Sequence, residues 1–390
     1  MNHPIVVKLT QDNFDFRKAS IKGEDLRFTD SDGVTVLDHW IEAYDADARM
    51  ATVWVKLPAL AASKNVYLYY GNETAEDVSD INGVFPLADD FETFFAGPLD
   101  HAETYLTIPT YDGQNQPVQP DVAYFPEGCK GYKYWMAHTP FTQQSVGAEK
   151  IDVVASQDGQ TWEIPAGGAL PIVPDDPDYD YADPDVIYNS ETDELWVYFL
   201  ADSPSLQNAL LKLTKSPDGV RWSPPVTLID FGARGFVSPA VVRLNATTWY
   251  LFYVQSGPDT WQDMTGNFIA YRTSSDGEHW GPEQDTGLSF PGYYPWHVEA
   301  QYIPSKSEFW ALAQVMPARY RPQNDVLVFA RGTSPTQWTH VYTQPAMERT
   351  AAVTDEVWHH KRLYRSAFVY HPESDLLEVW YSGLNHKESH

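Results

Sequence analysis

An all-β chain in two parts, an N-terminal β-sandwich followed by a five-bladed β-propeller, is predicted by three observations. The heptads "SQDGQTW", "SPDGVRW" and "SSDGEHW" place Trp162, Trp222 and Trp280 60 and 58 residues apart, and a degenerate "TSPTQW" puts Trp338 another 58 on. Before each tryptophan stand three runs of β-branched and aromatic residues joined by turn residues. The first 95 residues carry short strand-like runs of another texture and no copy of the heptad. Four antiparallel strands repeated at this period describe propeller blades.

The elements follow in chain order. "PIVVKLT", "LRFTD", "DHWIEAYD", "ATVWVKLP" and "NVYLYYGN" read as the strands of a sandwich over residues 1–95, and "GVFPLADDFETFFAG" as its connector to a propeller over 96–390. Blade one is "DVAYF", "KYWMAHTPF" and "IDVVAS"; blade two is "DVIYNSETDELWVYFLA" and "ALLKLTKS". Blade three is "AVVRLNATTWYLFYV" and "FIAYRTSS", and blade four "VEAQYIPSKSEFWALAQ" and "VLVFARGTS". "PVTLI" and "HVYTQ" supply outer strands. The fifth copy, "SAFVYHPESDLLEVWYSG", is incomplete, so a strand from elsewhere must close the ring; "AETYLTIPT", Ala102 to Thr110, is expected to pair on it. In each heptad Asp and Gly suit a tight turn, and the trailing Trp packs across the hairpin.

Composition narrows the function classes. A formal charge of −28 opposes nucleic acid and anionic membranes, which call for clustered Lys and Arg. No run reaches the length of a membrane-spanning helix and no signal peptide opens the chain, so it reads as soluble and not membrane-inserted. One cysteine, Cys129, rules out an internal disulfide framework.

Two resemblances follow from these motifs. "DLRFTDSDG", "WIE", "VWVK" and "YLYYGN", in that order over residues 5 to 92, closely resemble a small sandwich module catalogued as a domain of unknown function, found in prokaryotic surface and phage proteins. Residues 100 to 390 resemble the propellers of glycoside hydrolase family 43. That resemblance implies inverting hydrolysis of arabinans, xylans or related glycans, with an Asp base in blade one, a pKa-tuning Asp in blade two and a Glu acid in blade three. It places Asp121 ("QPDVAY") as base and Asp183, or else Asp185 ("YADPDVIY"), as tuner, but Ser238 ("GFVSPAVV") stands where the glutamate belongs.

A serine cannot protonate a leaving alkoxide near neutral pH. Glu299 in "PWHVEAQY" is the replacement acid, and His297, two residues earlier, shares its strand face. Arg365 ("LYRSAF") opens blade five, where its guanidinium either clamps ligand or neutralises the acidic funnel. Tyr294 and Trp296, in a Gly/Pro-containing loop, are expected to stack on sugar faces. His138, Asp185 and Ser238 complete the expected binding residues, while Trp135 reads as core. No cofactor is expected. The aspartates of "PDDPDYDYADPD" suit Ca²⁺, yet a solvated acidic loop reads better, since the turn Gly and terminal Glu of a calcium loop are missing.

The expected function is carbohydrate recognition at the propeller funnel by a virion or extracellular surface component, whose sandwich meets other virion or surface proteins. An inverting glycoside hydrolase using Asp121, Asp183 and Glu299 is the first alternative. A structural virion protein without ligand is the second.

Overall fold

The computed structural model describes residues 3–46, 48–58, 65–72, 74–84, 105–141, 149–203, 205–233, 235–256, 264–317, 325–341, 346–348 and 362–384. The chain divides into two compact units, Met1–Ala96 and Gly97–His390. Most of the expected connector lies outside the described residues.

The first unit is a sandwich of two three-stranded antiparallel sheets. One holds β1 (His3–Thr10), β5 (Met50–Leu57) and β4 (His39–Asp45), in that order; the other holds β3 (Val36–Leu37), β2 (Arg27–Thr29) and β6 (Tyr67–Tyr69). Alternation fixes its register: Ala51, Val53, Val55 and Leu57 of β5 all point inward, against Phe14, Phe28 and Leu37. Asp25 ties the segment before β2 to the one after β6, accepting the backbone N–H groups of Ser20, Gly71 and Asn72.

The second unit is built of blades. Blade one is β7 (Pro117–Cys129), β8 (Tyr132–Pro140), β9 (Asp152–Ser156) and β10 (Trp162–Glu163); blade two is β11 (Asp180–Asn189), β12 (Glu194–Ser203), β13 (Asn208–Ser216) and β14 (Val226–Asp230). Blade three is β15 (Gly235–Asn245), β16 (Thr248–Ser256), β17 (Phe268–Ser274) and β18 (Gln284–Asp285). Blade four is β19 (Tyr294–Ile303), β20 (Glu308–Met316), β21 (Val326–Ser334) and β22 (Gln337–Val341), with β23 (Met347–Glu348) also on β21. Blade five shows β24 (Arg362–His371) and β25 (Leu376–Leu384) among the described residues. The all-β sandwich-plus-propeller architecture read from the repeats is the observed one.

Apolar clusters fill the gaps between successive blades, such as Trp135, Val153, Val197 and Phe199 between blades one and two. The Asp-Gly turns take part in this packing. In each of the three full heptads the serine hydroxyl accepts the N–H of the glycine (Gly159, Gly219, Gly277), and the aspartate accepts two further N–H groups beyond it. The glycines sit at φ of 73°, 74° and 79°, left-handed backbone that glycine adopts most readily. Gly219 of blade two lies flat on Trp135 of blade one, so close that an added Cβ would stand 2.1 Å from the ring.

The expected ring closure is corrected. Of Ala102 to Thr110, the described part, 105–110, forms no strand. Ile108 instead plugs the seam between blades one and five, among Met136, Val154, Ala367 and Trp380. Trp380 Nε1 donates to the Gly159 carbonyl at 3.3 Å, and the Gln119 N–H donates to Ser382 Oγ at 3.0 Å. Side-chain packing and hydrogen bonds therefore join the fifth blade to the first.

Candidate functional site

The inner strands of blades one to three share one local device. Each ladder skips two residues, at Gln119-Pro120, Asp183-Pro184 and Ser238-Pro239, before pairing resumes at Asp121, Asp185 and Ala240. Gln119, Asp183 and Ser238 have φ of 55°, 51° and 61°, strained left-handed values for residues with a Cβ. The strain is held by contacts from blade to blade. Gln119 Oε1 accepts the Asp183 N–H at 3.1 Å, Asp183 Oδ2 accepts the Ser238 N–H at 3.0 Å, and Ser238 Oγ accepts the Val298 N–H at 3.1 Å.

This register corrects an expectation. Asp121 and Asp183 were expected as base and tuner on adjacent blades, but the blade-two counterpart of Asp121 is Asp185, two residues further along; Asp183 corresponds to Gln119 and Ser238. Asp121 Oδ2 accepts the Val186 N–H at 2.6 Å and Asp185 Oδ2 the Val241 N–H at 3.2 Å, a second tier of the same interblade stitching.

The two tiers face different chemistry. In the lower one Asp121, Asp185 and Glu299 are buried, with carboxylate oxygens within 4.8 Å of one another. Burial pushes all three pKa values up, most strongly for Asp185 and Glu299, where the Asp121 charge adds to it. An inverting pair needs carboxyls ~6.5–9.5 Å apart with a sugar linkage and water between. With oxygens within 4.8 Å of each other, Asp121 and Glu299 leave less than that space, so their expected use as base and acid is not supported by this geometry. The trio stands at one end of a 720 Å³ cavity walled by later residues of the inner strands, including Tyr124, Tyr188, Gln301 and Tyr370.

Arg365 lies fully buried beside both tiers. Its Nη2 donates to the Pro239 carbonyl at 2.9 Å and is 3.7 Å from Glu299 Oε2, and Nη1 is 3.8 Å from Asp183 Oδ1. Of the two roles open to it, the neutralising one fits, because both guanidinium Nη atoms are turned to the Pro239 carbonyl and to the carboxylates of Glu299 and Asp183.

The upper tier joins Asp183 to His297, with Nδ1 to Oδ1 at 3.4 Å. The His297 ring packs edge-on against Tyr364 at 4.5 Å. Burial raises the Asp183 pKa to about 6, against the opposing pull of Arg365 and the Ser238 N–H. Half-buried Glu149 lies just before β9, the third strand of blade one, its carbonyl tied to β11 by the Tyr181 N–H at 3.2 Å. Its carboxyl is pushed to about 8 by desolvation and then by the charges of Asp180, Asp183 and Asp202. Two acids displaced to either side of neutrality are the combination that acid–base chemistry uses.

Other expected site residues sit elsewhere. Trp296 is 3% exposed and packs with Met264 and Met316, so it is a core residue and not a sugar platform. Tyr294 is half-buried against the same cluster and lines a separate groove. His138, on the second strand of blade one, is fully buried, and burial lowers its pKa to about 3 and keeps it neutral. It pairs with Asp152 of the third strand and is not among the residues lining the axial cavity. Ser238 is fully buried between blades three and four, its hydroxyl also donating to the Val298 carbonyl at 2.8 Å. Trp135 is core.

Among the described residues, the one group of three or more metal-ligating side chains is Asp121, Asp185 and Glu299. Asp121 and Asp185 each accept a backbone N–H and Arg365 lies 3.7 Å from Glu299 Oε2, but that oxygen accepts no hydrogen bond among the described residues. Asp183 Oδ1 accepts no hydrogen bond among the described residues and, with His297, forms an oxygen–nitrogen pair suited to a divalent cation. The aspartate-rich loop forms no cage: Asp175 pairs with Lys150 at 2.9 Å, and Asp176 accepts the Asp178 N–H.

Sequence reasoning missed Gln119 and Glu149. "QPD" against "DPD" carried the signal for Gln119. Glu149 stands in "GAEK", and only folding reveals its desolvation.

Comparison with known proteins follows the division of the chain. Residues 22–100 match the family model of a domain of unknown function, DUF2341. An A type blood N-acetyl-α-D-galactosamine deacetylase of Flavonifractor plautii is 29% identical over 335 residues, 73% of this chain and 43% of that protein. The chain thus spans less than half the length of this curated relative. The crystal structure of an N-acetylgalactosamine deacetylase from F. plautii, in complex with blood group B trisaccharide, is 27% identical, with a TM-score of 0.67 over 72% of this chain and 85% of that one. A thermostable family-43 glycoside hydrolase is 13% identical, with a TM-score of 0.47 over 70% of this chain and 87% of that one.

Proposed function

We propose that the propeller binds a glycan and hydrolyses the acetamide of an N-acetylated amino sugar in it. The observation that carries this reading is the likeness to the N-acetylgalactosamine deacetylase over 72% of the chain. Blade three carries no carboxyl at either matching position, Ser238 or Ala240, and the oxygens of Asp121 and Glu299 lie within 4.8 Å; both favour this reading over glycosidic cleavage.

Amide hydrolysis adds water to the carbonyl carbon, breaks the C–N bond and passes a proton to nitrogen, giving acetate and an amine. Water needs a base, and the amine is a poor leaving group until protonated. Asp183, ionised above about pH 6, takes the proton from water. Glu149, protonated below about pH 8, delivers one to the departing nitrogen. His297, 3.4 Å from Asp183, orients the water. Gln119 positions Asp183 by holding its backbone N–H. Under the same proposal the sandwich tethers the propeller to a surface or virion partner.

The test is acetate release from a glycan ending in α-N-acetylgalactosamine, with mass spectrometry for the deacetylated product, before and after dialysis against a chelator. Native protein is expected to release acetate and Asp183→Asn to release none. Binding without product from the native protein would return the propeller to pure glycan recognition. Cleavage between sugars would restore the hydrolase alternative.

A further inference from the structure

A second cavity, of 340 Å³, opens where the outer strand of blade three hands over to β19. It lies toward the end of β19 from which His297 is reached: Tyr294 is three strand residues from His297, about 10 Å along the strand. It belongs to neither tier of the axial site. Its rim is the turn Phe290-Pro291-Gly292-Tyr293, closed by the Tyr293 N–H on the Phe290 carbonyl at 3.0 Å, with Gly292 at φ 81°. Pro then Gly at these two places is the signature of a type II turn, and it presents Tyr293 and Tyr294, both half-exposed, to the cavity.

The polar wall is distinctive. Asn267 is 6% exposed; its Nδ2 is committed to the Pro295 carbonyl at 3.0 Å and to Met264 Sδ at 3.3 Å, and its Oδ1 accepts no hydrogen bond among the described residues. A buried acceptor left without a donor is destabilising, and a ligand hydroxyl would supply the missing donor. Asp285, exposed at the same wall, adds a second acceptor and a negative charge. Tyrosine rings beside acceptors match a pyranose, which has apolar faces and donating hydroxyls, and the charge disfavours acidic sugars. The volume lies at the lower end of the roughly 300–1,000 Å³ usual for ligand pockets, enough for one ring.

From this we infer that the groove is a second saccharide subsite, which takes a neutral sugar unit of the same glycan whose acetylated residue sits at Asp183 and His297. It rests on the glycan reading above but not on deacetylation. The probes are the methyl α-glycoside of N-acetylgalactosamine and the blood group A trisaccharide, titrated calorimetrically into the native protein, Ser289→Trp, which fills the groove, and Tyr293→Ala. The native protein is expected to bind the trisaccharide at least 10-fold more tightly than the monosaccharide, and both variants to bring that ratio near one while melting as the native protein does. Equal native affinities, an unchanged ratio in both folded variants, or no saccharide bound at all would each overturn the subsite. Acetate release is read in parallel: binding with the expected ratio but no acetate sinks the deacetylase reading alone, and acetate without a length preference sinks the subsite alone.

Discussion

Asp183 and Glu149 are two carboxyls that folding pushes to about 6 and about 8. With Asp183 as base and Glu149 as acid, turnover requires the first ionised and the second protonated. The rate of acetate release should therefore be bell-shaped, rising through about pH 6 and falling through about pH 8, and the two limbs belong to the interacting pair as a whole. Glu149→Gln should remove the alkaline limb and lower kcat by roughly 10²–10⁴-fold; a variant that keeps the native profile would take Glu149 out of the mechanism. Glu299 calls for the opposite outcome. Burial and the Asp121 charge push its pKa well up, and an amide carries no charge to bury, so Glu299→Gln should fold and keep acetate release within a few-fold. A large loss there would move the chemistry into the lower tier.

At the scale of elements, the repeated turns predict how blades are held together. Gly219 combines a left-handed φ of 74° with a Trp135 ring 2.1 Å from where a Cβ would stand, whereas Gly232, at φ 62°, has nothing within 4 Å. Gly219→Ala should cost about 3 kcal/mol, from overpacking added to backbone strain, and Gly232→Ala about 1 kcal/mol; urea midpoints measure both, and equal losses would mean that the turn does not bear on the neighbouring blade. The same turns explain what was legible from sequence. A Ser, an Asp and a Gly at fixed spacing specify a local hydrogen-bond pattern, so the period and the first three blades could be read from the heptads, and the last two from their strand-like runs. Ring closure could not, because Ile108 works by fitting a gap whose shape depends on blades far away in the chain. The site was legible only in part for a related reason. "DPD" offers two aspartates, and choosing between them needs the bulge register, which places Asp185 with Asp121 and leaves Asp183 to His297. Trp296 shows the limit of composition: a Gly/Pro-flanked aromatic looks exposed, yet Met264 and Met316 enclose it.

For the whole molecule, the buried acids set how stability varies with pH. Glu149, Asp152 and Asp183 have folded pKa values of about 8, 7 and 6, and those of Asp121, Asp185 and Glu299 are raised as well, burial being the leading cause throughout. In the unfolded chain such groups ionise near pH 4. Between pH 4 and pH 8 the native state therefore holds more protons than the unfolded one, and stability must fall as pH rises; Asp183 alone accounts for roughly 3 kcal/mol by the top of its range. The turn aspartates Asp158, Asp218 and Asp276 run the other way. Backbone N–H bonds hold their pKa values down despite some burial, so their contribution is complete above about pH 4 and is lost as pH drops through the folded values. The two sets place maximal stability near pH 4 to 5. A formal charge of −28 also disfavours the compact state as pH rises, but repulsion between exposed charges is screened by salt, whereas desolvation of buried carboxyls is not. Urea midpoints at pH 4.5 and pH 8, each in 0.5 M NaCl, separate the two causes. The midpoint should still fall at high salt, and combining Asp183→Asn with Glu299→Gln should flatten the fall. If salt removes the difference, the slope belongs to the surface, and the acids at the axis are ionised in the native protein.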